Sequence, residues 1–256
     1  MHAKFHDKVV LVTGSGRGFG AVLARAFAEQ GADVIVHYNR SATGAETIAE
    51  QIRALGRRAH LVHGDISSLA QVRALVDSCY AAMGRIDVLV NNVGDMALEQ
   101  TSWRELDEAV IDHTLAVDIK GTMFMMHEVG SRMIDGDGGT IVNIGSQVVI
   151  AGSPRAPQYA AAKYGVIGLT KSYARALAPK VRVNTLGAAF METEALKNRH
   201  DWKNGRREEV LRQTPLGRIA APEDMVGPTL FLAADDSRHM TGQFLLCNGG
   251  LAMVGA

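Results

Sequence analysis

Tyr159 and Lys163 stand four residues apart in the run Tyr-Ala-Ala-Ala-Lys. Four residues is about one helical turn, so in a helix both side chains leave the same face. A free phenol, with a pKa near ~10, is a poor proton donor or acceptor at neutral pH. An ammonium one turn away favours the phenolate and lowers that pKa. The pair therefore suits acid–base work. Ser146 closes an apolar, strand-like run that starts at Thr140, and its hydroxyl could hold a substrate oxygen beside the phenol. Taken alone, the spacing also describes a tyrosine packed on a lysine stem, so the rest of the chain must choose.

A second group of residues suits an anion. Thr13-Gly14-Ser15-Gly16-Arg17-Gly18-Phe19-Gly20 follows a short apolar run at 9–12 and precedes Ala21, Leu23, Ala24 and Phe27 at helical spacing. Strand, glycine loop and helix in that order bring backbone N–H groups to a pyrophosphate at a helix N-terminus. In dinucleotide folds an acid near the end of the second strand accepts the adenine-ribose hydroxyls. Here the run 33–37 ends on His37, followed by Tyr38-Asn39-Arg40-Ser41, with no carboxylate. Arg17 and Arg40 could both reach a 2′-phosphate, which favours NADP(H) over NAD(H). Asp65, in Gly64-Asp65-Ile66, is either an acceptor for the adenine amino group or a turn aspartate.

These residues need elements to hold them. Strand-like runs at 9–12, 33–37, 59–63, 86–90, 140–145, 181–186 and 244–247 alternate with helical stretches. The helices fall at 43–56, 69–83, one long stretch from Leu106 to about Asp135, the Tyr159 helix opened by Pro157, and 222–234. The alternation predicts an α/β fold: one doubly wound Rossmann-type domain over 1–256, a parallel sheet of about seven strands, helices on both faces. Met123, Met125 and Met126 read as packing. The polar segment 191–213 lacks apolar periodicity and reads as a mobile lid within 187–213, its basic centre, Arg206 and Arg207 included, able to steer an anionic substrate.

The bulk numbers exclude several classes. The chain has 256 residues, 47% of them hydrophobic, with Lys+Arg and Asp+Glu both at 27. A zero net charge points to neither nucleic acid nor an anionic membrane. Cys79 and Cys247 are too few for a disulfide framework or a zinc site, and no metal is expected. No secretory signal and no apolar run of about 18 residues is seen, so a cytoplasmic location is the expectation.

With these pieces placed, the chain resembles the short-chain dehydrogenase/reductases, most of all the 3-oxoacyl-acyl-carrier-protein reductase type. The matching stretches are TGSGRGFG at 13–20, Asp65, NNVG at 91–94, IVNIGS ending at Ser146, YAAAK at 159–163, RVN at 182–184, TGQ at 241–243 and GG at 249–250. The resemblance implies Tyr159 as acid and base, Ser146 as the hydrogen-bonding partner of the substrate oxygen, and Lys163 on the nicotinamide ribose. It implies cofactor contacts from Gly14, Arg17, Gly18, Phe19, Gly20, Asn39, Arg40, Asp65, Ile66, Asn92, Val93, Gly94, Tyr159, Lys163, Met191 and Thr193, and a homotetramer.

Three positions depart from the family. Asp118 stands where the family usually has an asparagine that helps hold a water near the lysine; its carboxylate could pair with Lys163 or hold that same water. Ala188-Ala189 replace a Pro-Gly, and Asn248 replaces an aspartate. The leading expectation is an NADP(H)-dependent carbonyl reductase or alcohol dehydrogenase. The alternatives are an NAD-dependent dehydrogenase of a sugar, polyol or alicyclic alcohol, and a weakly catalytic dinucleotide-binding protein.

Overall fold

The computed structural model describes residues 4–95, 100 and 102–253. Seven strands form one parallel sheet: β1 (Val9–Val12), β2 (Asp33–Tyr38), β3 (Ala59–His63), β4 (Val88–Asn91), β5 (Gly139–Ser146), β6 (Val181–Ala188) and β7 (Phe244–Cys247). Their order is β3-β2-β1-β4-β5-β6-β7. The helices are α1 (Gly18–Glu29), α2 (Ala42–Ala54), α3 (Leu69–Met83), α4 (Glu108–Leu115), α5 (Thr122–Asp135), α6 (Val148–Ala151), α7 (Pro157–Leu177), α8 (Glu194–Lys197), α9 (Arg207–Gln213) and α10 (Val226–Ala233).

The strands are apolar on both faces because both faces are covered. Val10 and Val12 pack with Leu23 and Phe27 of α1, Ile52 of α2 and Leu232 of α10. Val9 and Leu11 point the other way, onto Val72 and Leu75 of α3, Met125 and Met126 of α5, and Leu177 of α7. Met125 and Met126 of α5 are therefore core packing, as their pattern predicts, whereas Met123 is 37% exposed and outside the core. The strand order reverses between β1 and β4, which opens a crevice beyond the C-terminal ends of those strands.

Two elements differ from expectation. The long helix between β4 and β5 is broken into a 3-10 turn (Trp103–Glu105), α4, a π-helical turn (Ala116–Gly121) and α5. Asp107 starts α4 by accepting from the Val110 N–H at 2.8 Å. The segment predicted as an irregular lid carries α8, a kinked turn over Trp202–Arg206 in which Gly205 has φ of +101°, and α9. It folds on its own cluster, in which Leu196, Trp202, Val210 and Ile219 are buried. These contacts have no helical period, so periodicity did not reveal them.

Candidate active site

Ser146 ends β5, and Tyr159 and Lys163 occupy the first two turns of α7, so the predicted trio meets at one end of the sheet. The Ser146 hydroxyl accepts from Val148 N at 3.2 Å and lies close enough to the Tyr159 phenol to lower its pKa. Lys163 is buried, with Nζ 5.6 Å from the centroid of the Tyr159 ring. That ammonium donates to Ile144 O at 3.3 Å and pairs with Asp118 Oδ1 at 2.6 Å. Burial raises the Tyr159 pKa; Lys163 pulls it down, Asp118 pushes it up, and the balance is upward. For Lys163 burial, the largest effect, acts downward, but Asp118, Tyr159 and Asp95 together outweigh it and the ammonium form is favoured. Burial pushes the Asp118 carboxyl up against the pull of Lys163. The loop after β4 closes on this pair: a Cβ at Gly94 would stand 2.8 Å from Lys163 Nζ and 3.0 Å from Asp118 Oδ1.

The cofactor-side residues gather around the β1–β4 crevice. Gly14 and Gly18 have φ of +66° and +57°, backbone that favours glycine. A Cβ on Gly20 would lie 2.4 Å from Gly14 O, while beside Gly18 there is open space. The first-turn N–H groups of α1 lack intrahelical acceptors. An open, positive-φ cradle at a helix N-terminus fits a pyrophosphate, so these residues fit a dinucleotide. The Phe19 side chain is buried in the core, which leaves its backbone as the part able to face a ligand. Asn92 Nδ2 donates to Thr13 O at 2.9 Å, and Asn92 N and Val93 N donate to Thr13 Oγ1 at 2.9 and 3.1 Å. This fixes the β4 loop against the glycine loop.

His37 is turned inward and is not at the ligand's disposal. Its Nδ1 accepts from Gly14 N and its Nε2 meets Gly64 O, both at 2.9 Å. Burial lowers its pKa to about 4, so it rivets the glycine loop to the end of β3 as a neutral ring. Asp65 Oδ1 accepts from Ser67 N and Oγ at 2.8 and 2.7 Å, the turn reading of that residue. The Ile66 side chain is buried against Gly121. Arg17, Asn39 and Arg40 are exposed, and Arg40 is close enough to Asp65 to lower its pKa. Met191 pairs with Ala220 in an isolated bridge, and Thr193 caps α8 through Leu196 N at 3.3 Å.

Comparison with known proteins decides the family. A family model described as enoyl-(acyl carrier protein) reductase matches residues 14–252. The 3-oxoacyl-[acyl-carrier-protein] reductase of Staphylococcus aureus is 35% identical over 250 residues, 96% of this chain and 98% of that protein. The chain belongs to the short-chain dehydrogenase/reductase family. D-threitol dehydrogenase of Mycolicibacterium smegmatis is 36% identical over 249 residues, 96% of this chain and 94% of that protein. A gluconate 5-dehydrogenase of Burkholderia cenocepacia, solved with NADP and tartrate, superposes with a TM-score of 0.88 at 31% identity, over 98% of this chain and 97% of that one. This short-chain dehydrogenase/reductase is thus a nicotinamide-dependent oxidoreductase that moves a hydride between its cofactor and a carbonyl or secondary alcohol.

The departures from the family pattern have local structural reasons. Asp118 pairs directly with Lys163, the first of the two options its carboxylate offered. Ala188 does not turn: it continues β6, pairs with Cys247, and accepts from Gln147 N at 2.9 Å. Gly187, just before it, lies where a Cβ would meet the Phe244 ring at 2.3 Å. Asn248 closes its own turn, accepting from Gly250 N at 3.0 Å and donating to Ala252 O at 2.6 Å. The arginines at the basic centre of segment 191–213 have carboxylate partners. Arg206 pairs with Glu209 at 2.6 Å, Arg207 with Glu192 at 2.7 Å, and Arg199 with Asp201 at 2.5 Å.

Sequence reasoning missed two features of the site. A buried polar ladder supports it from below: Asn91 Nδ2 donates to Asn143 Oδ1 and Asn143 Nδ2 to Thr170 Oγ1, both at 2.8 Å, and Thr170 meets Thr185 at 2.7 Å. The signal was Asn143 alone in an apolar strand, where an unpaired amide would be costly. A second network joins the helix of Tyr159 to segment 191–213. Gln158 Nε2 donates to Gln100 Oε1 at 2.6 Å, Arg155 donates to Gln100 O, and Arg155 Nε lies 3.9 Å from Asp201 Oδ2. Of the predicted substrate loop at 94–103, residues 96–99 and 101 lie outside the described residues. Among the described residues no His, Cys, Asp and Glu cluster suits a metal, and no helix is long and apolar enough to cross a membrane.

Proposed function

We propose that Tyr159 is the proton donor in carbonyl reduction and the acceptor in alcohol oxidation, that Ser146 holds the substrate oxygen, and that Lys163 holds the nicotinamide ribose. The observation that carries this is the convergence of Ser146, at the end of β5, with Tyr159 and the buried Lys163 ammonium one turn apart at the start of α7. A bound nicotinamide supplies or takes up the hydride at the same carbon. The chain's part is to fix the oxygen and move one proton at the Tyr159 hydroxyl. The glycine loop from Gly14 to Gly20 and the β4 loop, Asn92 to Gly94, would hold the dinucleotide, with Met191 and Thr193 toward its carboxamide and phosphates.

NADP(H) is favoured over NAD(H). No carboxylate stands at the end of β2, where Tyr38, Asn39 and exposed Arg40 follow His37, and Arg17 is exposed at the start of α1. Two arginines can pair with a 2′-phosphate that only NADP(H) carries. For the substrate, a small polyhydroxylated alcohol or its carbonyl is favoured by the polar network of Gln100, Gln158, Arg155 and Asp201 beside Tyr159. Polar groups in that place favour a hydroxylated substrate over an acyl chain. The 3-oxoacyl thioester reading remains the rival, carried by the resemblance to the reductases of that class. Segment 187–213 acts as the lid of a single domain. Met123 on α5 and Tyr164 on α7, 37% and 58% exposed, give the faces of a homotetramer; a cytoplasmic enzyme is the reading.

Two measurements test this. Tyr159→Phe should lower kcat by roughly 10²–10⁴-fold with cofactor affinity retained, the loss expected of a missing acid–base group. A variant keeping more than about a tenth of wild-type kcat lies outside that range and ends the assignment. Steady-state kinetics with both cofactors, against sugars, polyols and 3-oxoacyl thioesters, should give the higher kcat/KM with NADP(H) and a hydroxylated substrate.

A further inference from the structure

The ammonium that should help Tyr159 ionise is held by another partner. Asp118 Oδ1 lies 2.6 Å from Lys163 Nζ, and the Asp118 side chain is fully buried. Its other oxygen accepts from the Asp95 N–H at 2.7 Å. The Asp95 carboxylate in turn accepts from Thr114 Oγ1 at 2.7 Å. One carboxylate, from the π-helical turn, therefore holds the ammonium, and the backbone of the β4 loop holds that carboxylate in turn. The π turn itself is an observation of this kind, since such turns often present a side chain at a functional site. Gly94 has no room for a side chain beside the pair.

Charge at the phenol follows from this arrangement. The groups facing Tyr159 are Lys163 on its own helix, Asp118 on the π turn, Asp95 on the β4 loop, Arg155 just ahead of α7, and the neutral Ser146 hydroxyl on β5. In a low-dielectric interior the field of Lys163 at the phenol is opposed by that of the carboxylate bound to it. A neutral asparagine at this place would leave that field unopposed.

We propose that Asp118 is a positioning residue that locks Lys163 and keeps Tyr159 protonated, poising the enzyme as a proton donor, for reduction, at neutral pH and as a proton acceptor only in alkaline solution. This rests on the reading of Tyr159 as the acid and base. Consistent with it, burial and then Asp118 and Asp95 outweigh Lys163 and Ser146 in setting the Tyr159 pKa above its ordinary value.

The first test uses the cofactor-free wild-type protein. The near-ultraviolet phenolate absorbance, with that of Tyr159→Phe subtracted, should show Tyr159 ionising only above the ordinary tyrosine value of about 10. Ionisation below it overturns the proposal. The second uses Asp118→Asn, which keeps the acceptor for Asp95 N–H and removes the charge. Its Tyr159 phenolate signal, and the midpoints of both kcat–pH profiles, should move to lower pH. At neutral pH kcat for oxidation should rise roughly tenfold, the effect of one nearby charge on an acid. Asp118→Glu, which restores the charge, should return the profiles toward wild type. Unmoved midpoints, or a loss of kcat equal at every pH, overturn the proposal. An active Tyr159→Phe would instead remove the acid–base reading itself, whereas an inactive Tyr159→Phe with an unmoved Asp118→Asn profile removes only the role of Asp118.

Discussion

Two regions face each other across the strand ends, and they are held in different ways. The cofactor side, around the glycine loop, is fixed by hydrogen bonds between buried side chains and main-chain groups. Thr13 takes Asn92 and Val93, and the His37 ring bridges Gly14 to Gly64. The substrate side, from Met191 to Ile219, rests on a small apolar cluster and on side-chain ion pairs with substantially exposed partners. Exposed pairs contribute about 0–1 kcal/mol each, and a small cluster opens more readily than a main core. The contrast sets a cradle tied to the strand ends against the segment we propose as a cover, which would open without unfolding the sheet.

The sharpest way to break this contrast is at Gly94, on the rigid side. Gly94→Ala pushes a methyl into the Lys163–Asp118 pair, and kcat should fall by about 10²-fold, as for an ångström-scale misplacement of a reacting group. A variant with wild-type kcat would mean that the cradle yields.

His37 tests the same side through stability. Its pKa is about 4 in the fold against 6.5 when free. A depressed pKa means that the unfolded chain takes up the proton first, so stability present above about pH 6.5 is lost as pH falls toward about 4. The full loss is roughly 3 kcal/mol. His37→Gln, able to accept and donate but not to titrate, should show a shallower fall in urea-unfolding stability over that range. Parallel curves for the two proteins would remove His37 as the acid-sensitive rivet.

The cover is tested by matched truncations. Phe27→Ala in the main core should cost about 3–5 kcal/mol. Trp202→Ala should move the global unfolding midpoint less than half as far while raising the substrate KM, because only the local cluster loosens. Equal midpoint shifts would join the lid to the main core. The smallest effect is expected from Arg206→Glu with Arg207→Glu. Both arginines already have carboxylate partners, so KM for anionic and neutral substrates of similar size should change together, within about twofold for such exposed pairs. A selective rise for anions would restore a steering role to the lid.

What the sequence determined by itself is what short-range rules encode. Apolar runs of strand length, a glycine loop between strand and helix, and a tyrosine and lysine one turn apart all act over a few residues, and each is found where its spacing places it. Ser146, Tyr159 and Lys163 were legible for that reason. Tertiary structure alone decided the rest. Asp118 meets Lys163, His37 meets Gly14 and Gly64, and Asn143 meets Asn91 and Thr170, because the sheet order brings distant strands and helices together. Whether a buried carboxylate holds a water or an ammonium depends on distances of a few ångströms between elements that no local pattern specifies. The small cluster of segment 191–219 was hidden for the same reason: Leu196, Trp202, Val210 and Ile219 share no period, and they form a core only once the chain has folded.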